Sequence, residues 1–376
     1  MTDFSTNARI AHYSPHGKHR MSFYRHIILL PRRSFNNTVT VLVILALSQL
    51  TIASSHTMAR EVTAPKDSPL FKPAVVYVSI EQDVDNSFIT SAISGANRAR
   101  EELGIETAIF AIKPNNDSYT ALKDIAQKGY SPIIAVGNQN VLPVQNLANQ
   151  FPKTRFSVID GLVPPLYLNV QSVTFKDHEG AFLMGYIAAS TSKKNHIGFI
   201  GGMDVPLIRN FAYGYEQGAK LAKKEIRIDQ DMVGETSEAW NNPEKAFTLA
   251  QKQFDNGADV IFGAAGGSTR GVLKAAQTYN KLGIGVDTNQ NGLYPGHVLT
   301  SLVKRVDIAV YDTLKNGKKG QWQPGIKLLG LKEGALDFAV DQHNKELMNT
   351  TLVDKTANVK ERIINGIIDV KSYTAR

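Results

Sequence analysis

AVVYVSIEQDVDNSFITSAISGANRAREELGIETAIFAI, residues 74–112, decides the fold class. A β-branched apolar run at 74–80 gives way to a helical pattern ending at Leu103, and a second apolar run follows at 106–112. Strand, helix and strand in that order make a βαβ unit, the building block of a parallel sheet. The same pattern continues with PIIAVG (132–137), RFSVID (155–160), HIGFIGG (196–202), DMVGET (231–236), ADVIFGAA (258–265), GIGVD (283–287) and HVLTSLV (297–303). Strands this apolar need helices over both faces. The expected architecture is α/β: two Rossmann-like lobes with parallel sheets, in series and joined by a hinge.

Helix boundaries carry their own signals. Asp177 is placed to cap a helix over about 178–192, Gly104 and Gly129 follow helix ends, and Pro243 stands where a first-turn proline is tolerated. No internal repeat or low-complexity tract is visible.

At 376 residues the chain exceeds the usual size of one domain, and two lobes imply a cleft. The net charge of +8 is uneven, because Arg9, Lys18, Arg20, Arg25, Arg32 and Arg33 precede Arg60 against Asp3 alone. The remainder is mildly basic with no lysine or arginine run, which gives no footprint for nucleic acid. The absence of cysteine excludes disulfides, thiolate metal sites, a cysteine nucleophile and a lipid-bearing N-terminal cysteine.

The first 59 residues read as a basic leader and signal peptide. TVTVLVILALSQLTIA (38–53) is short for a spanning helix, follows a basic segment and precedes Thr57-Met58-Ala59, a small-x-Ala site. Met21 is an alternative start, and an uncleaved membrane anchor the alternative reading of the segment. Either way the body lies outside the cytoplasm, in the periplasm. The expected lobes comprise 60–174 with about 303–325, and 175–302 with about 326–376.

In parallel sheets of this kind, ligands sit beyond the carboxyl ends of the strands. Asp85 and Asn86 follow the first strand with Phe88 beside them, as ligand groups or as a helix cap with its staple. Asn138 follows the third apolar run and Asp160 the fourth, where an aspartate also suits a turn. GGMDVPLIRNFAYGYEQGAK (201–220) opens a helix whose backbone N–H groups are free to receive an anion or a ligand oxygen, though it lacks GxGxxG and a Walker lysine. Trp240 is either a packing residue or a stacking platform. Gly266 lies in a glycine pair, and Asp287 with Lys304 could hold vicinal hydroxyls, as a ribose offers.

VDNSF, SVIDG, GGMDVPLIRNFAYGYEQGAK, GADVIFGAAGGSTRGVLKAAQ, IGVDTNQ and SLVKRVDIAVYD together resemble the motifs of the basic-membrane-protein family of solute receptors. The resemblance covers about 73–340 and implies a type I periplasmic-binding-protein fold. It implies capture of a nucleoside, a purine one in the first instance, and delivery to an ABC permease with its ATPase. Phe88 and Trp240 then match aromatic positions around the ligand, Asp287 the hydroxyl-holding aspartate, Lys304 the last polar position, and Asn138 and Asp160 the base-facing groups. The usual double aspartate of the first motif reads Val84-Asp85, and Ile93 and Ser94 stand where an aromatic residue is expected, which changes the groups that would meet the base. A monomeric binding protein needing no cofactor is expected, reaching the membrane only through its permease or an uncleaved signal. Two alternatives are a sensing module for a membrane receptor and a receptor for a sugar or other hydroxylated solute. No Ser-His-Asp order, paired acids or metal spacing suggests an enzyme, and His178 and His196 read as structural.

Overall fold

Mostly apolar strands three to eight residues long assemble into two six-stranded sheets. The computed structural model describes residues 71–79, 87–113 and 116–374. The leader, the cleavage site, Asp85 and Asn86 lie outside these residues.

The first sheet is built from β1 (Ala74–Val78), β2 (Ala108–Ile112), β3 (Ile133–Val136), β4 (Phe156–Ile159), β5 (Val170–Phe175) and β11 (Gly325–Leu329). Its order is β2-β1-β3-β4-β5-β11, and every pairing is parallel. The second contains β6 (His196–Met203), β7 (Arg227–Gly234), β8 (Val260–Ala264), β9 (Leu282–Asp287), β10 (Val298–Lys304) and β12 (Leu336–Phe338). Its order, β7-β6-β8-β9-β10-β12, matches the first, except that β12 runs antiparallel to β10. Burial explains the apolar composition: β3, β4 and β8 are buried along their whole length, whereas the edge strands β2 and β11 alternate.

Helices complete the layers: α1 (Ser87–Leu103), α2 (Ser118–Gln127), α3 (Val141–Ala148), α4 (Asp177–Thr191), α5 (Pro206–Ala222), α6 (Pro243–Asp255), α7 (Thr269–Thr278), α8 (Val306–Lys318) and α9 (Thr350–Ile364). The chain passes between lobes three times. It leaves β5 for α4 beside the second sheet, returns from β10 into α8 packed on α1, and crosses again between β11 and β12.

The β-strand at 170–175 has no counterpart in the sequence reading, because VQSVTF mixes polar with apolar residues. Its buried polar groups are bonded, Gln171 Nε2 donating to Gln323 O at 2.7 Å and the Val163 N–H to Ser172 Oγ at 3.0 Å. Strands β11 and β12 also escape the pattern, being five and three residues long, and β7 begins at Arg227, four residues before the expected run at 231. The expected change of lobe near 326 would cut β11, which belongs wholly to the first sheet, and β10 extends through Lys304 in the second. The signals at Gly104 (φ 61°) and Gly129 (φ 75°) correspond to left-handed turns after α1 and α2, and Pro243 opens α6. Asp177 departs from its expected capping role: it is itself the first helical residue of α4, Lys176 is the cap, and no side chain caps the helix.

Helix α4 is buried almost all round because α5 lies against one side of it and the second sheet against another. Glycines permit that approach. A Cβ on Gly218 would stand 1.9 Å from the Phe182 carbonyl oxygen, and one on Gly185 the same distance from that of Tyr215. Alanine normally favours a helix over glycine by about 1 kcal/mol, but these neighbours are backbone and cannot swing aside. Gly218→Ala is therefore expected to destabilise the protein by about 1–3 kcal/mol, as overpacking does. Denaturant unfolding checks this, and a variant as stable as the parent would contradict the close packing.

Candidate ligand site

Both sheets turn the carboxyl ends of their parallel strands toward the same space. A cavity of about 480 Å³ lies there, lined by Phe88, Asn138, Asp160, Trp240, Gly266, Asp287 and Lys304. Seven residues named from the sequence thus come together, although the chain separates the first from the last by more than two hundred positions. Asn138 and Asp160 stand past the ends of β3 and β4, and Gly266 stands past β8; Asp287 and Lys304 end β9 and β10.

Asp160 (φ 61°) and Asp287 (φ 69°) both adopt the left-handed backbone conformation. Aspartate tolerates it better than bulky residues do, and backbone held there is concentrated at functional sites. The strained turn occurs at the same place in each sheet, immediately after or at the end of the fourth strand in its spatial order.

The charged centre is Lys304. Its side chain is almost wholly buried, with Nζ 2.8 Å from Asp160 Oδ2 and 3.0 Å from Asp177 Oδ1. The ammonium also lies over aromatic rings, 4.7 Å from the centroid of Phe175, 5.5 Å from Phe211 and 5.9 Å from Phe88. Cations are attracted to such faces. Asp287 completes the cluster, with Ser87 Oγ donating to its Oδ2 at 3.4 Å.

One buried cation faces three carboxylates, so their charges are not fully compensated. Burial pushes the Asp177 carboxyl up to about 7 and that of Asp287 up to about 6, against the opposing pull of Lys304. Burial would lower the Lys304 ammonium, but attraction to Asp160, Asp177 and Asp287 outweighs it and holds the proton well above the ordinary lysine value.

Trp240 packs and faces the cavity at once. Its ring lies so close to Gly202 that a Cβ there would meet it at 2.3 Å, and the same side chain forms part of the cavity wall. The segment expected to offer backbone N–H groups instead lines the cavity with Leu207, Ile208 and Phe211 of α5, while Asp204 before that helix pairs with Arg209. The sequence reading missed these apolar side chains, along with Met203 and Glu238. The i, i+1, i+4 spacing of Leu207, Ile208 and Phe211 is the signal that could have revealed a helix face. His178 contacts Asn210 and His196 pairs with Asp229, and neither histidine lines the cavity.

Residues 74–374 match the family described as ABC transporter substrate-binding protein, PnrA-like. The chain belongs to this family. Basic membrane protein A of Borreliella burgdorferi is 33% identical over 297 residues, covering 77% of this chain and 84% of that protein. The ABC transporter nucleoside-binding protein BmpA of Lactococcus lactis subsp. cremoris is 32% identical over 310 residues, 77% of this chain and 86% of its own. A lipoprotein of Pyrococcus furiosus is 32% identical over 264 residues, which cover 68% of this chain and 66% of the relative's length. Among solved structures, a solute-binding protein of an ABC transporter system from Aeropyrum pernix K1 shares the fold with a TM-score of 0.73, at 24% identity over 81% of this chain and 94% of that one. The fold is thus that of the ABC solute-binding proteins with two α/β lobes. The archaeal relative is named a lipoprotein, whereas this chain has no cysteine. Among the described residues no helix is long and apolar enough to cross a membrane.

The raised carboxyls set the sign of a pH dependence. Asp177 and Asp287 bind protons more tightly when folded than at their ordinary value of 3.8, so stability grows as pH falls through about 7 and 6 and is lost as pH rises. His178, held below its ordinary value by burial, works in the opposite direction. Thermal melting should therefore shift upward between about pH 8 and pH 5, and Asp177→Asn should remove part of that shift. A melting temperature that declines over this interval in the parent would contradict the arrangement.

Proposed function

We propose that this chain is an extracytoplasmic receptor of an ABC importer that captures a nucleoside between its lobes and delivers it to a permease. The observation that carries the reading is the cavity itself, where aromatic and aliphatic side chains surround a small set of charged groups. Sites for small molecules commonly enclose about 300–1,000 Å³ in such a lining. The nucleoside-binding name of the Lactococcus relative supports the ligand class.

Phe88 and Trp240 offer faces for a flat base, with Asn138 beside them as a hydrogen-bonding group. Asp287 accepts hydrogen bonds from the two ribose hydroxyls, and Lys304 donates to a sugar oxygen, roles suited to a carboxylate and an ammonium. Asp85 and Asn86, which follow the first apolar run in the sequence, are proposed as further polar groups for the ligand. A solute touching both lobes favours their closed arrangement because it gains contacts there that the open one lacks. Binding and release suffice for this task, so no covalent step is assigned. The receptor works as a monomer and meets the membrane through its permease.

Thermal melting with added nucleosides tests the proposal. Adenosine at about a hundred times its dissociation constant stabilises by about 2.7 kcal/mol, enough for a shift of several degrees. No shift with any purine or pyrimidine nucleoside at millimolar concentration would overturn the nucleoside assignment. Asp287→Ala is expected to weaken adenosine about 10- to 100-fold while changing adenine little, the loss appropriate to hydrogen bonds with a charged group. Equal losses for both ligands, measured by calorimetry, would refute the ribose role.

A further inference from the structure

Asp177 is fully buried in the first turn of α4, and among the described residues no backbone N–H, amide or hydroxyl donates to either of its carboxylate oxygens. Burying a carboxylate in this way is costly unless a charge answers it. The answering charge is the Lys304 ammonium, 3.0 Å from Oδ1 as an ion pair. The same ammonium donates to Asp160 Oδ2 at 2.8 Å and borders the cavity.

The two carboxylates that hold Lys304 differ in one respect that topology makes plain. Asp160 follows β4 in the first sheet, whereas Lys304 ends β10 in the second. Asp177 begins α4, which packs on the second lobe. A separation of the lobes would pull Asp160 away from Lys304 and leave Asp177 beside it. An ammonium released by Asp160 and lacking Asp177 would be drawn to Asp287, the remaining carboxylate of the cluster, and would cover the group that accepts the ligand's hydroxyls.

We infer that Asp177 is a positioning residue that keeps the Lys304 ammonium on the back wall of the cavity, leaving one of its N–H groups and the Asp287 carboxylate available to the incoming solute. The choice of adenosine as probe rests on the nucleoside reading above; the placement of Lys304 does not. Holding a group ready before the ligand arrives strengthens binding by removing the cost of ordering it afterwards.

Asp177→Asn removes the charge with almost no change of shape, and Asp177→Ser supplies a second neutral variant should the first fail to fold. Ligand-free crystal structures of the full chain should show Lys304 Nζ moved toward Asp287 by about 1 Å or more, a distance beyond ordinary thermal displacement. At about pH 8, where Asp177 and Asp287 are ionised, adenosine should bind about tenfold more weakly to either variant and adenine about equally well. In a Lys304→Met background, Asp177→Asn should have no further effect on adenosine, since residues acting through one another are not additive. An unmoved ammonium, equal losses for adenosine and adenine, or additive losses in the double variant would each overturn the assignment. If the parent binds no nucleoside, that reading falls, and the position of Nζ alone decides the role of Asp177.

Discussion

A single buried ammonium, answered by carboxylates that come from different parts of the chain, governs the arrangement at the centre of the protein. Lys304 can stand there only because β10 ends at the cavity, and it can remain charged only because Asp160, Asp177 and Asp287 converge on it. Phe175 and Phe211 pack their rings around it, and such apolar surroundings strengthen electrostatic contacts in the cluster. Removing one partner from such a group leaves an uncompensated charge, so the cluster is more sensitive to change than any surface ion pair.

The cluster arises from how parallel sheets are built. Each apolar strand must be covered on both faces, so polar residues accumulate where the strands end. Two sheets of the same strand order, placed with those ends toward one cavity, bring polar residues from many strand ends into contact. The three passages of the chain between lobes add the remaining piece, since Asp177 and Lys304 both stand at such a passage. Apolar clusters on the outer face of each sheet and a larger one reaching around α4, α5 and α8 hold this framework in place.

The lobes and the strand ends were legible because the strongest strands are continuous apolar runs, AVVYV and VIFGA among them. Asp160, Asp287 and Trp240 were found because they stand at or just beyond the ends of such runs, with the family resemblance assigning their roles. Strand β5 was hidden by Gln171, Ser172 and Thr174, polar residues whose burial depends on partners distant in sequence. Asp177 was misread for a similar reason: an aspartate before an apolar helix suits a cap, and only the folded chain places Lys304 within 3.0 Å of it. Leu207, Ile208 and Phe211 could be recognised as one helix face, but the sequence does not show that a cavity lies over it.

The matching strand orders have a further consequence. Asp160 and Asp287 occupy equivalent turns, so these two positions alone would greet a solute in the same way from either side. Equivalence fails at the next strand: β5 ends in Phe175 and β10 in Lys304. Phe175 does not line the cavity but lies against the Lys304 ammonium, so the first sheet supplies at this position an aromatic support for the cation that the second sheet presents to the cavity.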